Sequence, residues 1–291
     1  KQITLQNLFK LKSIQNIAQT LDEQTEENGD NAVSTCLIDL KPDGDAVPWF
    51  MAPPIGGSPL CYLPLSQTLA HDQPIYGLQT PGLWDGRTPY ERVKDIAAVY
   101  LADIEQRFGR VPLRLAGWSF GGIMIFEMAQ QAQKAGWAIE DLLIIDTAPM
   151  STFDDSVFDY MPDELAFTAH ILQAADPGGD DRNKRLEAMY HAAMASGKNL
   201  PPGLSLQQFD SLTRSLMASQ IAYRSFEPAP FPGSGRLVIA RDNPQWDDHD
   251  YHAIWQPLLR DMTITLIPGE HNTLFDDENI ATTTAVFTGL K

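Results

Sequence analysis

Gly117-Trp118-Ser119-Phe120-Gly121-Gly122 stands between a short apolar run, Leu113-Arg114-Leu115-Ala116, and a helix-like one, Ile123-Met124-Ile125-Phe126-Glu127-Met128-Ala129. A G-x-S-x-G stretch between a strand and a helix is the setting of a nucleophile elbow. Such a corner is too tight for side chains at its flanks, two residues before and after the serine, and glycines meet that need. It lifts the Ser119 hydroxyl out of the sheet, and the following helix turns its positive end toward the space beside it. Ser119 is therefore read as a catalytic nucleophile, against the alternative of a plain strand-turn-helix.

Outward from this corner, strand and helix patterns alternate. Residues 47–52, 74–78, 142–145, 236–240 and 262–267 read as strands; 59–70, 90–108, a segment from 123 to about 136 and a terminal segment from about 277 read as helices. The alternation predicts an α/β protein with a mostly parallel sheet and helices on both faces. Between about 149 and 232 lies a stretch too long for a connection, with helical patterns over 162–175, 182–195 and 206–226. It is read as a helical lid inserted over the catalytic edge of the sheet.

Length and composition narrow the function classes. The 291 residues suffice for one large α/β domain with little left over. A formal net charge of −17 repels phosphate and argues against nucleic acid as partner. No apolar run approaches the roughly 20 residues of a membrane span, so no membrane partner is expected. Cys36 and Cys61 form neither a disulfide framework nor a metal-ligand cluster, which suits a reduced, cytoplasmic setting and leaves no metal expected. The chain opens on Lys1-Gln2-Ile3-Thr4, without an initiator methionine or a signal core, and reads as a piece of a longer polypeptide. Residues 1–22 carry a helical apolar spacing, and 23–32 are polar enough to read as a linker. The main domain is expected over 33–291.

A serine hydroxyl needs a base within hydrogen-bond reach, and the base needs an acid to orient it. In a sheet of this kind the partners follow in the order serine, acid, histidine. Leu266-Ile267-Pro268-Gly269-Glu270-His271 puts His271 in the loop after the last strand, where the base is expected. His71, His170, His191, His249 and His252 read as solvated or structural. Two residues compete for the acid. Asp146 ends the very apolar strand that follows the elbow helix, and Asp242 ends the next one. Asp146 is preferred because the small-residue turn Thr147-Ala148-Pro149 lets it aim at His271. A tetrahedral intermediate needs two N–H donors. Phe120, after the nucleophile, offers one. Pro53 and Pro54 have none, so Ile55 is the first donor in the loop after the first core strand.

These residues look like a known family. Pro53-Pro54-Ile55-Gly56-Gly57-Ser58-Pro59-Leu60-Cys61-Tyr62, then Gln73-Pro74-Ile75-Tyr76-Gly77-Leu78-Gln79, the elbow, Ile144-Ile145-Asp146-Thr147-Ala148-Pro149 and Gly269-Glu270-His271 resemble the C-terminal (type I) thioesterase domains of nonribosomal peptide and polyketide synthases. The resemblance implies the α/β-hydrolase fold. It also implies an acyl-enzyme on Ser119, formed from a thioester on the phosphopantetheine arm of an upstream carrier domain and released by water or by the chain's own nucleophile. No cofactor of the domain's own is implied. It favours Asp146 as the acid, and it makes residues 8–18 similar to the last helix of a carrier domain. Met150, Phe153, Phe158, Met161, Met217 and Tyr223 are candidates to line an acyl channel or, more simply, to fill the lid's own core. Two other readings stay open: a stand-alone or editing thioesterase or esterase, and a catalytically silent acyl-binding domain.

Overall fold

The computed structural model describes residues 35–150, 163–196, 200, 203–242 and 250–288. The carrier-like helix over 1–22, the linker over 23–32, Phe153, Phe158, Met161 and His249 lie outside the described residues. The strands are β1 (Leu37–Lys41), β2 (Trp49–Ala52), β3 (Ile75–Leu78), β4 (Leu113–Trp118), β5 (Ile139–Ile145), β6 (Phe231–Ala240) and β7 (Leu259–Ile267). They form one sheet in the order β1-β3-β2-β4-β5-β6-β7. Among the described residues only β1 runs antiparallel; every other pairing is parallel. The α/β architecture expected from the alternation is the one observed.

The inner strands are apolar on both faces, and their residues alternate between two cores, as the two-residue period of a strand requires. Phe50, Leu115, Ile144 and Leu237 face one cluster. Met51, Ala116, Ile145 and Val238 face the other. Helices α2 (Val93–Phe108), α3 (Phe120–Lys134) and α7 (Tyr251–Trp255) cover the first face through residues such as Ile96, Tyr100, Ile123 and Trp255. Helices α1 (Leu63–Thr68) and α8 (Ile280–Phe287) cover the second through Leu65 and Phe287. Helix α3 is buried almost all round, which marks it as the central helix. It stops at Gly136, φ 82°, where Trp137 N–H returns to Ala132 O at 2.9 Å.

Three differences from the sequence reading have local causes. Strand β1 was not expected, because its Leu-Ile-Asp-Leu-Lys is short and runs into the turn-rich Pro42-Asp43-Gly44-Asp45. The helix expected over 59–70 is a 3₁₀ turn, Pro59–Tyr62, followed by α1. Each piece carries a proline in its opening turn, where a missing N–H is tolerated, and each therefore starts anew. The short α7 was also missed, since five residues are too few to show a period.

Between β5 and β6 stand α4 (Glu164–Leu172), α5 (Arg182–Ser196) and α6 (Leu206–Arg224). They bury their own cluster around Phe167, Met189, Phe209 and Leu216, which also takes in Leu83 and touches Ile55 and Trp84. The insertion is thus a small helical layer with its own core, seated on the loops that follow β2 and β3.

Candidate active site

The elbow takes the form its glycines suggested. Strand β4 ends at Trp118 and α3 begins at Phe120, so Ser119 alone turns the chain, with φ 57° and ψ −131°. That is an unfavourable backbone for a residue with a Cβ, costing on the order of 1–3 kcal/mol. Surrounding contacts hold it. Ser119 N–H donates to Ile145 O at 2.9 Å, and its carbonyl accepts from Gly122 N–H at 2.8 Å and from the Thr147 hydroxyl at 2.6 Å. The glycines are there because strand and helix touch. A Cβ on Gly117 would collide with the Gly121 carbonyl, one on Gly121 with the carbonyls of Ala52 and Pro53, and one on Gly122 with the Thr147 side chain.

Three of the residues singled out from sequence come together at this corner. Ser119 Oγ lies 3.0 Å from His271 Nε2, and His271 Nδ1 lies 2.6 Å from Asp146 Oδ2. Asp146 is fully buried and the His271 side chain is 20% exposed, so what solvent access the pair has is through the imidazole. Asp146 also carries a positive φ of 46°. Its second carboxylate oxygen accepts from Ala240 N–H at 2.9 Å, and its own N–H donates to Val238 O at 2.6 Å. Both residues with strained backbones in this part of the molecule thus face the same imidazole.

Asp242 stands elsewhere. Its side chain is 51% exposed, and it accepts from Gly269 N–H at 2.8 Å while its own N–H donates to Gly269 O at 3.0 Å. Those contacts, with Arg241 beside it, hold its carboxyl below the usual range. Asp242 therefore braces the turn that carries His271. The turn is braced again by Glu270 N–H donating to the Thr273 hydroxyl at 2.9 Å and by Asn279 Nδ2 donating to Thr273 O at 3.0 Å.

The two candidate oxyanion donors approach from different strands. Phe120 is the first residue of α3, where an N–H has no acceptor within the helix. The loop after β2 passes directly over α3, since Ala52 and Pro53 carbonyls stand against Gly121. It turns through Gly57 N–H donating to Pro54 O at 2.8 Å, which leaves the Ile55 amide outside that bond. Ile55 itself packs against both the main core and the helical insertion.

Supporting groups gather around the elbow, and one of them, Trp255, escaped the sequence reading. The Trp255 indole N–H donates to Thr147 O at 2.9 Å from α7. The Tyr223 hydroxyl donates to Ala148 O at 2.6 Å, and its ring lies 5.3 Å from that of Phe120. Tyr223 is thus a strut between α6 and the elbow. The Trp118 ring lies 5.3 Å from His271. Met150 is buried, and Met217 borders a surface cleft of about 580 Å³ with Pro89 and Arg182. His71, His170, His191 and His252 are exposed. Burial pushes the Cys36 thiol up to about 12 and raises that of Cys61 as well, which disfavours the thiolate at both. Among the described residues no group of three or more His, Cys, Asp or Glu could hold a metal ion, and no helix is long and apolar enough to cross a membrane.

Residues 48–288 match the family model described as the thioesterase domain. The chain belongs to the thioesterase family. A dimodular nonribosomal peptide synthase of Bacillus subtilis (strain 168) is 26% identical over 260 residues, which are 89% of this chain and 11% of the synthase. The thioesterase chain therefore spans only a small part of that curated relative. A crystal structure of a four-domain nonribosomal peptide synthetase bound to AMP and glycine is similar with a TM-score of 0.74 and 22% identity, over 100% of this chain and 22% of that one. The type II thioesterase BorB from the borrelidin biosynthetic cluster is similar with a TM-score of 0.62 and 18% identity, over 90% and 100% of the two chains. The fold is that of thioesterase α/β-hydrolase domains, and family and fold together support a hydrolase activity.

Proposed function

We propose that this thioesterase domain releases an acyl or peptidyl chain from the phosphopantetheine arm of a carrier domain through an ester on Ser119. The observation that carries this reading is the run of contacts from Ser119 Oγ to His271 Nε2, 3.0 Å, and from His271 Nδ1 to Asp146 Oδ2, 2.6 Å. An ionised Asp146 only accepts, so Nδ1 carries the imidazole proton and the Nε2 lone pair faces the serine. In the first half-reaction Nε2 takes the Ser119 proton as Oγ attacks the thioester carbonyl. The oxyanion is received by the Ile55 and Phe120 amides. Collapse breaks the C–S bond, and the imidazolium returns its proton to the leaving thiol.

In the second half-reaction His271 deprotonates water, or a hydroxyl or amine of the bound chain, as that atom attacks the ester carbonyl; the C–O bond to Ser119 breaks and the imidazolium returns its proton to Ser119 Oγ. Water gives a free acid and an internal nucleophile gives a ring. The helical insertion serves as the lid over this chemistry, joined to it by Tyr223. Chain release in cis is supported by the similarity to multidomain synthetases. Editing in trans is the second reading, favoured by the similarity to a type II thioesterase over that chain's whole length.

Ser119→Ala is expected to abolish turnover of acyl-pantetheine thioesters and labelling by a fluorophosphonate; appreciable turnover in that variant would sink the assignment. Mass spectrometry of products from acyl thioesters with a terminal nucleophile reads the second step. A product lighter than the acid by one water means cyclisation. Rapid cleavage of acetyl-pantetheine with neglect of long acyl chains would favour editing.

A further inference from the structure

The Tyr62 hydroxyl joins two strands that the proposed mechanism needs at a fixed separation. It donates to Ala52 O at 2.6 Å and accepts from Trp118 N–H at 3.0 Å. Ala52 is the last residue of β2 and Trp118 the last of β4, and the final rung between these strands sets Ala52 opposite Gly117. Beyond that rung the chains part. β2 runs into Pro53 and Pro54, which have no N–H with which to continue a ladder, and on to Ile55. β4 runs into Ser119 and Phe120.

The proposed oxyanion donors, Phe120 and Ile55, therefore hang from two separate strands, two and three residues beyond a bridge made by one phenol. The bridge is well held. Tyr62 is fully buried, and its ring meets Phe275 edge-on at 5.1 Å. Burial pushes its phenol well above the usual value, so the O–H is kept as a donor. The ring enters from the 3₁₀ turn Pro59–Tyr62 and packs in the cluster on the opposite face of the sheet from α3.

We infer that Tyr62 is a positioning residue that sets the distance between the Ile55 and Phe120 amides, acting through the Ala52 carbonyl and the Trp118 amide. The inference rests on the reading of Ser119 as nucleophile. Tyr62 touches neither substrate nor the reacting atoms. Its loss would leave the triad contacts in place and misplace the oxyanion donors. Displacements of about 1 Å in such groups cost up to roughly a hundredfold in rate.

The test compares Tyr62→Phe, which keeps the ring, with Leu65→Val, which thins the same core without touching the hydroxyl. Both are assayed well below their melting temperatures. The readouts are the second-order rate of Ser119 labelling by a fluorophosphonate, whose P=O occupies the oxyanion position, and kcat and KM on an acyl-pantetheine thioester. Tyr62→Phe is expected to slow labelling and kcat about tenfold or more with KM within twofold, while Leu65→Val lowers the melting temperature and labels within twofold of the native rate. Equal labelling by Tyr62→Phe and the native protein overturns this inference alone. Equal slowing by Leu65→Val also overturns it, because general loosening then suffices. A native protein that takes no label at Ser119 removes the nucleophile reading and this inference with it.

Discussion

Asp146 and Asp242 end neighbouring strands, and their letters alone leave both eligible as partner to a histidine. Burial separates them. Asp146 is fully enclosed, with one oxygen on His271 and the other on the Ala240 amide, whereas Asp242 is half exposed and spends its carboxylate on Gly269. On the proposed mechanism Asp146→Asn lowers kcat by about 10⁴, because the amide no longer holds the imidazole in the required tautomer. Asp242→Asn keeps an oxygen acceptor for Gly269 and is expected to cost less than about tenfold in kcat. Steady-state kinetics of the two variants decide between them, and the opposite ranking would move the acid to β6. Ser119, His271 and Asp146 were legible because each sits at a strand end with a recognisable neighbourhood. The contacts of Tyr62, Thr147 and Trp255 were not, because they are made to backbone atoms up to 56, 28 and 108 residues distant, and no local pattern records them.

At the scale of elements, the helical insertion is tied by arginines. Arg185 of α5 bonds Asp163, which also caps α4 by accepting from Ala166 N–H at 2.8 Å, and bonds Asp176 in the loop between the two helices. Arg182 bonds Glu164 of α4 and Asp210 of α6. The Arg185 side chain is 11% exposed, and its guanidinium holds the carboxyls of Asp163 and Asp176 below the usual range. Asp163 is nearly half exposed, so screening limits the gain; Arg185→Met is expected to cost about 1–2 kcal/mol. The sign with pH follows from the lowered carboxyls. Their contribution is complete above the unfolded value near pH 4 and is lost as pH falls below it. Hydrogen exchange of α4 and α5 should show the variant less protected than the native protein at pH 7, with the difference shrinking below about pH 4. A difference that persists in acid would assign the effect to lost packing of the arginine stem. The three helices were visible in sequence as apolar periods, but their clamps join residues up to 28 positions apart and were not.

For the whole molecule, 38 acidic residues face 21 lysines and arginines, and the net charge of −17 works against compactness. Exposed like charges are screened by salt more than the part-buried ion pairs are. Raising sodium chloride from about 0.05 to about 0.5 M is expected to raise the melting temperature by roughly 2–4 °C, equivalent to about 1 kcal/mol. Scanning calorimetry checks this, and a fall in melting temperature would mean that local ion pairs outweigh the net repulsion.

The sequence by itself determined the α/β class, the parallel sheet, the helical insertion and two of the side chains that meet at the elbow, Ser119 and His271, with a preference for Asp146 as the third. Hydrophobic periods, glycines at a corner too tight for side chains and the order serine, acid, histidine are all local or ordinal properties. Only the tertiary structure decided which aspartate reaches His271, what holds Ser119 and Asp146 in costly backbone conformations, and how the ends of β2 and β4 are joined. Those depend on distances across a sheet whose strands lie in the order β1-β3-β2-β4-β5-β6-β7, an order the chain does not follow. Ser119 first appeared as a serine between glycines; in the fold it is held at the corner by Ile145, Gly122 and Thr147, and the Tyr62 phenol pins the residue before it.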